Sequence, residues 1–181
     1  MQLNIVAYAA DCRVLGRLQL DAERMSDLLN HAHTYELTDA VFESLEDGHR
    51  VELAEYAIAA EDVHVVEVVG PRGDPGRRVR TRLHRMQLKV GPYVVAGHLH
   101  MLPGVDPLAG FVRRGRFVAL TEITLGYQAG REWVLRDVEA IVVNRDLVEW
   151  IQPATDESTA FPDVPIKADP RAKELAWGLA R

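Results

Sequence analysis

Two histidine pairs and one run of arginines have the residue types and spacing that invite chemistry. The pairs are His31-Ala32-His33 and His98-Leu99-His100. On a strand, residues i and i+2 face the same side, so His98 and His100 could meet one metal ion. Such a site needs further ligands, and the following "MLPGVDPLAG" offers only Asp106 before a helix begins. The simpler reading makes both histidines outward positions of an alternating strand, matching Arg17 and Gln19 earlier in the chain. His31 and His33 fall where a helix ends, a place that suits histidine without any further role. No metal site is assigned.

The arginines lie in "PRGDPGRRVRTRLHR", Pro71 to Arg85, which sets six arginines against one aspartate in a chain of net charge −6. Arg72, Arg77, Arg78, Arg80, Arg82 and Arg85 could bind an anion or the phosphates of RNA or DNA, because guanidinium forks match phosphate well. The competing reading is a charged edge strand that resists edge-to-edge pairing, with Val79 and Leu83 turned inward. An acidic chain as a whole is a poor surface for nucleic acid.

Covalent catalysis finds little to use. Ser26, Ser44 and Ser158 lack the glycines of a nucleophile elbow, and Cys12 has no evident base. "GPRGDPGRR" has glycines but no following helix with Lys-Ser/Thr, so it cradles no phosphate. Glu61-Asp62 falls in a turn and reads as solvated. The chain is expected to be no enzyme, with no catalytic residue and no cofactor.

The elements that must hold these residues are written twice. "HTYELTDAVF" (His33–Phe42) returns as "RFVALTEITL" (Arg116–Leu125), with Leu120-Thr121-Glu122 falling on Leu37-Thr38-Asp39. Upstream, "VLGRLQL" (Val14–Leu20) matches "VAGHLHM" (Val95–Met101), Gly16 on Gly97. "MQLNI" at Met1 is set against "MQLKV" at Met86. Downstream, "AIAAEDVHVVEV" (Ala57–Val68) matches "IVVNRDLVEWI" (Ile141–Ile151), Asp62 on Asp146. Each copy reads mainly as β. "RVELAEYAI" (Arg50–Ile58) alternates at period two, and "VHVVEV" and "LVEWI" are short strand-like runs. "EDGH" and "YQAGRE" read as hairpin turns. One short helix interrupts each copy. Met25, Leu28 and Leu29 share a face, as do Leu108, Phe111 and Val112, the second helix starting with Asp106 as N-cap and Pro107 at N1.

Five strands and a helix in so few residues leave two open edges and an apolar face unless the sheet curls shut. The expected fold is therefore all-β with short helices, an internal duplication of a small five-stranded barrel-like unit. The expected organisation is a first β repeat over 1–70, a basic connector over 71–85, a second repeat over 86–153, and an extended tail over 154–181. The tail should end in a helix capped by Asp169 with Pro170 at N1. Leu175, Trp177 and Leu179 on that helix are candidates for docking to a partner or to the chain's own barrels.

The strand order, the "G-x-L" of the second strand and the tight corner before the last strand resemble Sm-like small barrels. The mid-unit helix departs from that pattern, so no RNA-pocket residue carries over. The chain is also similar to an uncharacterised family of bacterial tandem β-domain proteins with "R-L-S-D-x-L-N" followed by "L-T-D-A". Here that motif stands as Arg24-Met25-Ser26-Asp27-Leu28-Leu29-Asn30, then Leu37-Thr38-Asp39-Ala40, and the second copy keeps only "LTE". The resemblance implies a fold and no assigned activity.

With 48% hydrophobic and 27% charged residues the composition is that of a globular protein. No apolar run approaches the roughly 18 residues of a membrane helix, the first residues do not read as a signal peptide, and a single cysteine forbids an internal disulfide. A cytoplasmic location with no membrane partner is expected. The leading expectation is a non-enzymatic binding or assembly module acting through protein–protein contacts or self-association. The alternative is RNA or DNA binding through the arginine-rich connector.

Overall fold

The computed structural model describes residues 2–19, 21–22, 24–69, 79–154, 161 and 166–168. The first copy forms β1 (Gln2–Tyr8), β2 (Cys12–Gln19), α1 (Met25–His31), β3 (Thr34–Ser44), β4 (Arg50–Ala59) and β5 (Val65–Val69). The second forms β6 (Arg82–Val90), β7 (Tyr93–Met101), α2 (Pro107–Val112), β8 (Phe117–Ala129), β9 (Glu132–Asn144) and β10 (Val148–Pro153). A short β11 (Ile166–Ala168) runs parallel to β9 at Trp133–Leu135. The fold is all-β, as the sequence leads one to expect.

Hydrogen bonding joins the strands in the order β10-β6-β7-β8-β9-β5-β1-β2-β3-β4, one antiparallel path. Each half of that path has its last strand beside its first, followed by second, third and fourth. The same local device shapes both halves. A bulge separates Leu15 from Arg17 where β2 pairs β3, and another separates Ala96 from His98 where β7 pairs β8. The extra residues opposite them, Asp39 and Glu122, are the two non-glycine residues with positive φ, at 50° and 53°. Each points back across the ladder, Asp39 to Arg17 at 3.1 Å and Glu122 to His98 at 3.0 Å. Gly16 and Gly97 stand at the bulges, where the facing strand comes close enough that a side chain would require its neighbours to shift. A Cβ on Gly97 would come within 2.1 Å of Ile123 Cδ1, and one on Gly16 within 3.2 Å of Leu37 Cβ.

This register corrects two of the sequence pairings. Gly16 lies opposite Ile5 and Gly97 opposite Met86, so Met86 stands where Ile5 stands and "MQLKV" is not the counterpart of "MQLNI". Leu37 lies opposite Tyr56 and Leu120 opposite Ile141, which moves the last matched segment by one residue and puts Ile141 on Tyr56.

The expected closure of each unit is replaced by a join between the units, which leaves one open sheet path. β5 pairs its own β1 on one side and β9 of the other copy on the second side, through Val65↔Val143, Val66↔Val142 and Glu67↔Ile141. The central strands are consequently buried on both faces. Along β1, Leu3, Ile5 and Ala7 enter the core of the first copy, while Val6 and Tyr8 enter that of the second. The unbroken apolar run "IVAYA" (Ile5–Ala9) is the sequence signature of that two-sided burial.

α1 buries Met25 and Leu29. In α2, Asp106 caps Ala109 N–H at 2.8 Å with Pro107 in the first turn, as its sequence implies. Phe111 is buried, but Val112 is 64% exposed, contrary to the expected stripe. The helix is only six residues long and ends at Val112, so a third apolar position has no turn left to hold it against the sheet.

Candidate protein interface

The joint between the copies is built from polar groups placed among apolar ones. Asn144, 1% exposed, ends β9 and donates from Nδ2 to the Ala60 and Val63 carbonyls of the first copy, at 3.1 and 2.9 Å. Asn30, last residue of the "RMSDLLN" stretch, reaches the other way. Its Oδ1 accepts from Phe117 N–H and its Nδ2 donates to Phe117 C=O, both at 2.9 Å, so one side chain imitates a strand partner at the start of β8. Gly115 leaves the space for it, since a Cβ there would lie 2.5 Å from Asn30 Oδ1.

Two arginine–glutamate pairs sit deeper. Arg136 of β9 donates from Nη1 to Glu67 Oε2 of β5 at 2.8 Å and from Nη2 to Oε1 at 3.2 Å. Tyr8 Oη donates to the same Glu67 Oε2 at 3.1 Å and accepts from Arg136. Arg13 of β2 donates to Glu43 Oε1 at 2.9 Å and to Tyr127 Oη at 3.0 Å, while Arg50 donates to the other oxygen of Glu43. Tyr8, Tyr93 and Tyr127 pack with ring centroids 5.4 to 6.0 Å apart, and Tyr93 Oη donates to the Ala9 carbonyl at 2.5 Å. Burial pushes the Tyr8 phenol well up, Glu67 adding to the effect, and burial pushes Tyr93 up as well. Charges so enclosed are tolerated only because each meets its partner, and they fix which surfaces join.

The outer ends of the path are open. Among the described residues, β4 pairs only β3 and β10 pairs only β6. Residues 50–55 of β4 are exposed on both faces, Val51 at 45% and Leu53 at 40%. The alternation of "RVELAEYAI" is therefore one of residue type and not of burial, because no second layer of described residues covers that end of the strand. On β10, Trp150 is 38% exposed. The sequence gives no direct sign of these positions, since an apolar residue on an edge strand looks like one in a core.

The residues singled out from the sequence fall as follows. Arg80, Arg82 and Arg85 are exposed, the last two on β6, whereas Arg72, Arg77 and Arg78 lie outside the described residues. Val79 and Leu83, expected inward, are 66% and 52% exposed. Leu83 is exposed because alternation puts it on the face opposite Met86, Leu88 and Val90, the β6 residues that line the core. His98 and His100 share a strand face but are engaged separately, His98 with Glu122 and His100 with Thr81 and Thr121 at 3.2 and 2.7 Å. Among the described residues no group of three or more His, Cys, Asp and Glu could hold a metal ion. Burial, then the neighbouring Arg114 and His98, lower the pKa of His100. Ser44 Oγ accepts from the Glu46 and Asp47 amides and shapes the β3–β4 turn. Burial pushes the Cys12 thiol up to about 11, away from the thiolate that a nucleophile needs. Leu175, Trp177 and Leu179, with Asp169, Pro170 and Ser158, lie outside the described residues. No described helix is long and apolar enough to cross a membrane. Comparisons with protein-family models, with curated proteins and with solved structures find no match.

Proposed function

We propose that this chain is a non-enzymatic binding or assembly module of the cytoplasm, acting through protein–protein contacts at its two open sheet edges. The observation that carries the reading is the combination of two edges that have no further strand partner among the described residues with exposed apolar side chains, Val51 and Leu53 on β4 and Trp150 on β10. Edge strands in isolated proteins are normally blunted by charge, proline or a covering loop, because an unpaired ladder recruits another strand. Strand addition draws affinity from backbone hydrogen bonds and selectivity from alternate side chains. The test is a photo-crosslinking residue placed at Leu53, at Trp150 or at exposed Gln128, expressed in cells. Protein adducts at the two edges and none at Gln128 are expected. Their absence at both edges refutes the reading.

The second reading is RNA or DNA binding. Its support is the exposure of Arg80, Arg82 and Arg85 on one short segment. A labelled mixed-sequence RNA titrated across a salt series tests it. Phosphate binding would weaken steeply with salt and would be lost when the connector arginines become alanine. Absence of binding at low salt removes it.

A further inference from the structure

Resting on the assembly reading, we propose that the partner of these edges is a second copy of this chain. β10 of one molecule adds to β4 of the next, in the register that β5 and β9 already use inside each molecule.

The two open edges are the counterparts of the two edges joined at the centre. β10 lies beside β6 as β5 lies beside β1: Trp150, Ile151 and Gln152 face Lys89, Leu88 and Gln87, just as Val65, Val66 and Glu67 face Tyr8, Ala7 and Val6. β4 lies beside β3 as β9 lies beside β8, so Tyr56, Ala57 and Ile58 occupy the places of Ile141, Val142 and Val143. One end of the molecule therefore presents a β5-type edge and the other a β9-type edge. The fold already shows that these two kinds of edge fit. Carrying over the central register sets Trp150 opposite Ile58, Ile151 opposite Ala57 and Gln152 opposite Tyr56 of the neighbour.

Side chains at the ends agree with that arrangement. The exposed apolar residues of the ends have buried counterparts at the centre: Trp150 answers to Val65 at 0% exposure, and Leu53 to Val138 at 9%. The same transfer lays α2, with its exposed Val112, against β3 of the neighbour, as α1 lies against β8 within the chain. No like charges meet across the transferred ladder, for Glu55 would face Pro153.

The outer contact lacks the polar clamps of the inner one. Ala59 stands where Asn144 does, and Val51 and Gln152 stand where Arg136 and Glu67 do. The inner joint is thus permanent and the outer one reversible. Because the two surfaces differ, the contact is heterologous and propagates head to tail, into a ring if the rotation closes.

Sedimentation of the purified full chain over a concentration series should give masses that rise from 20.3 kDa in integral steps. Leu53→Lys with Ala57→Lys, both at exposed positions, should hold the protein at 20.3 kDa with an unchanged melting temperature. Orientation is read by disulfide capture. Facing residues of an antiparallel pair lie about 4.5–5.5 Å apart at Cα, within disulfide reach. In a Cys12→Ser background, one preparation carries Ile151→Cys and another Ala57→Cys. A crosslinked dimer should form on mixing and in neither preparation alone. A monomer at every concentration, or capture of Ala57→Cys chains with one another, overturns the proposal. Edge adducts to a different protein, with the purified chain monomeric, would overturn it while leaving the assembly reading intact. A monomer without edge adducts would end both.

Discussion

Removing the Asn30 clamp tests whether the joint between the copies rests on the contacts described. Asn30→Ala deletes the bonds to Phe117 N–H and C=O, each 2.9 Å; Asn30 itself is exposed, but Phe117, whose backbone groups lose their partner, is only 2% exposed. A net hydrogen bond contributes about 0.5–1.5 kcal/mol, and a stranded buried group costs about 1–3 kcal/mol, so the substitution should cost about 2–4 kcal/mol in all. With a urea slope of about 2 kcal/mol per molar, the midpoint should fall by about 1–2 M. Gly115→Ala supplies the cross-check. Its Cβ would lie 2.5 Å from Asn30 Oδ1, so the amide must leave and the same bonds are lost. Once Asn30 is alanine the added methyl meets no clash, and the double variant should be no less stable than Asn30→Ala alone. Equilibrium urea unfolding, followed by tryptophan fluorescence on all four proteins, reads the cycle. Losses that simply add to within about 0.5 kcal/mol would refute the reasoning, because independent sites behave that way.

Arg136→Met with Glu67 retained should cost about 3–5 kcal/mol by calorimetry, and adding Glu67→Leu should recover most of it, since the loss comes from a buried charge left without its main partner. Tyr93→Phe should cost about 1–3 kcal/mol by stranding the buried Ala9 carbonyl. Tyr8, Tyr35 and Tyr93 should remain un-ionised in folded protein at pH 11, because burial raises all three, Tyr35 to about 12; the phenolate absorbance of these three tyrosines should appear only with alkaline unfolding. On the acid side, burial first lowers the pKa of both His64 and His100 from 6.5. The unfolded chain then binds their protons before the folded one does. Stability should be full above pH 6.5 and decline as the pH falls from there towards the folded values. A Tm series from pH 8 to 5 that slopes less for His100→Gln checks the sign.

Much of this architecture is written locally. Gly16 and Gly97, each followed by the Leu-Thr-Asp or Leu-Thr-Glu triplet, announce the two bulges, because a close approach needs glycine and an extra residue needs an unusual φ. Gly48 and Gly130, with φ of 71° and 60°, mark the hairpins, and Asp106-Pro107 marks the start of a helix. These are decisions of backbone sterics within a few residues, so a sequence can carry them. For the same reason the duplication is legible, and with it the all-β class. Leu83 and Val51 show where such reading stops. Alternation says which side chains share a face, but it cannot say whether anything covers that face.

What the tertiary structure alone decided is which edges join. Duplication presents β5 with two acceptable neighbours, β4 and β9, whose backbones are interchangeable. The choice falls to side chains far apart in the chain: Asn144 on the Ala60 and Val63 carbonyls, Asn30 on Phe117, and Arg136 with Glu67. Each makes its contact across more than sixty residues of sequence. No local pattern shows such a pairing, because its energy exists only once both surfaces have lost their water.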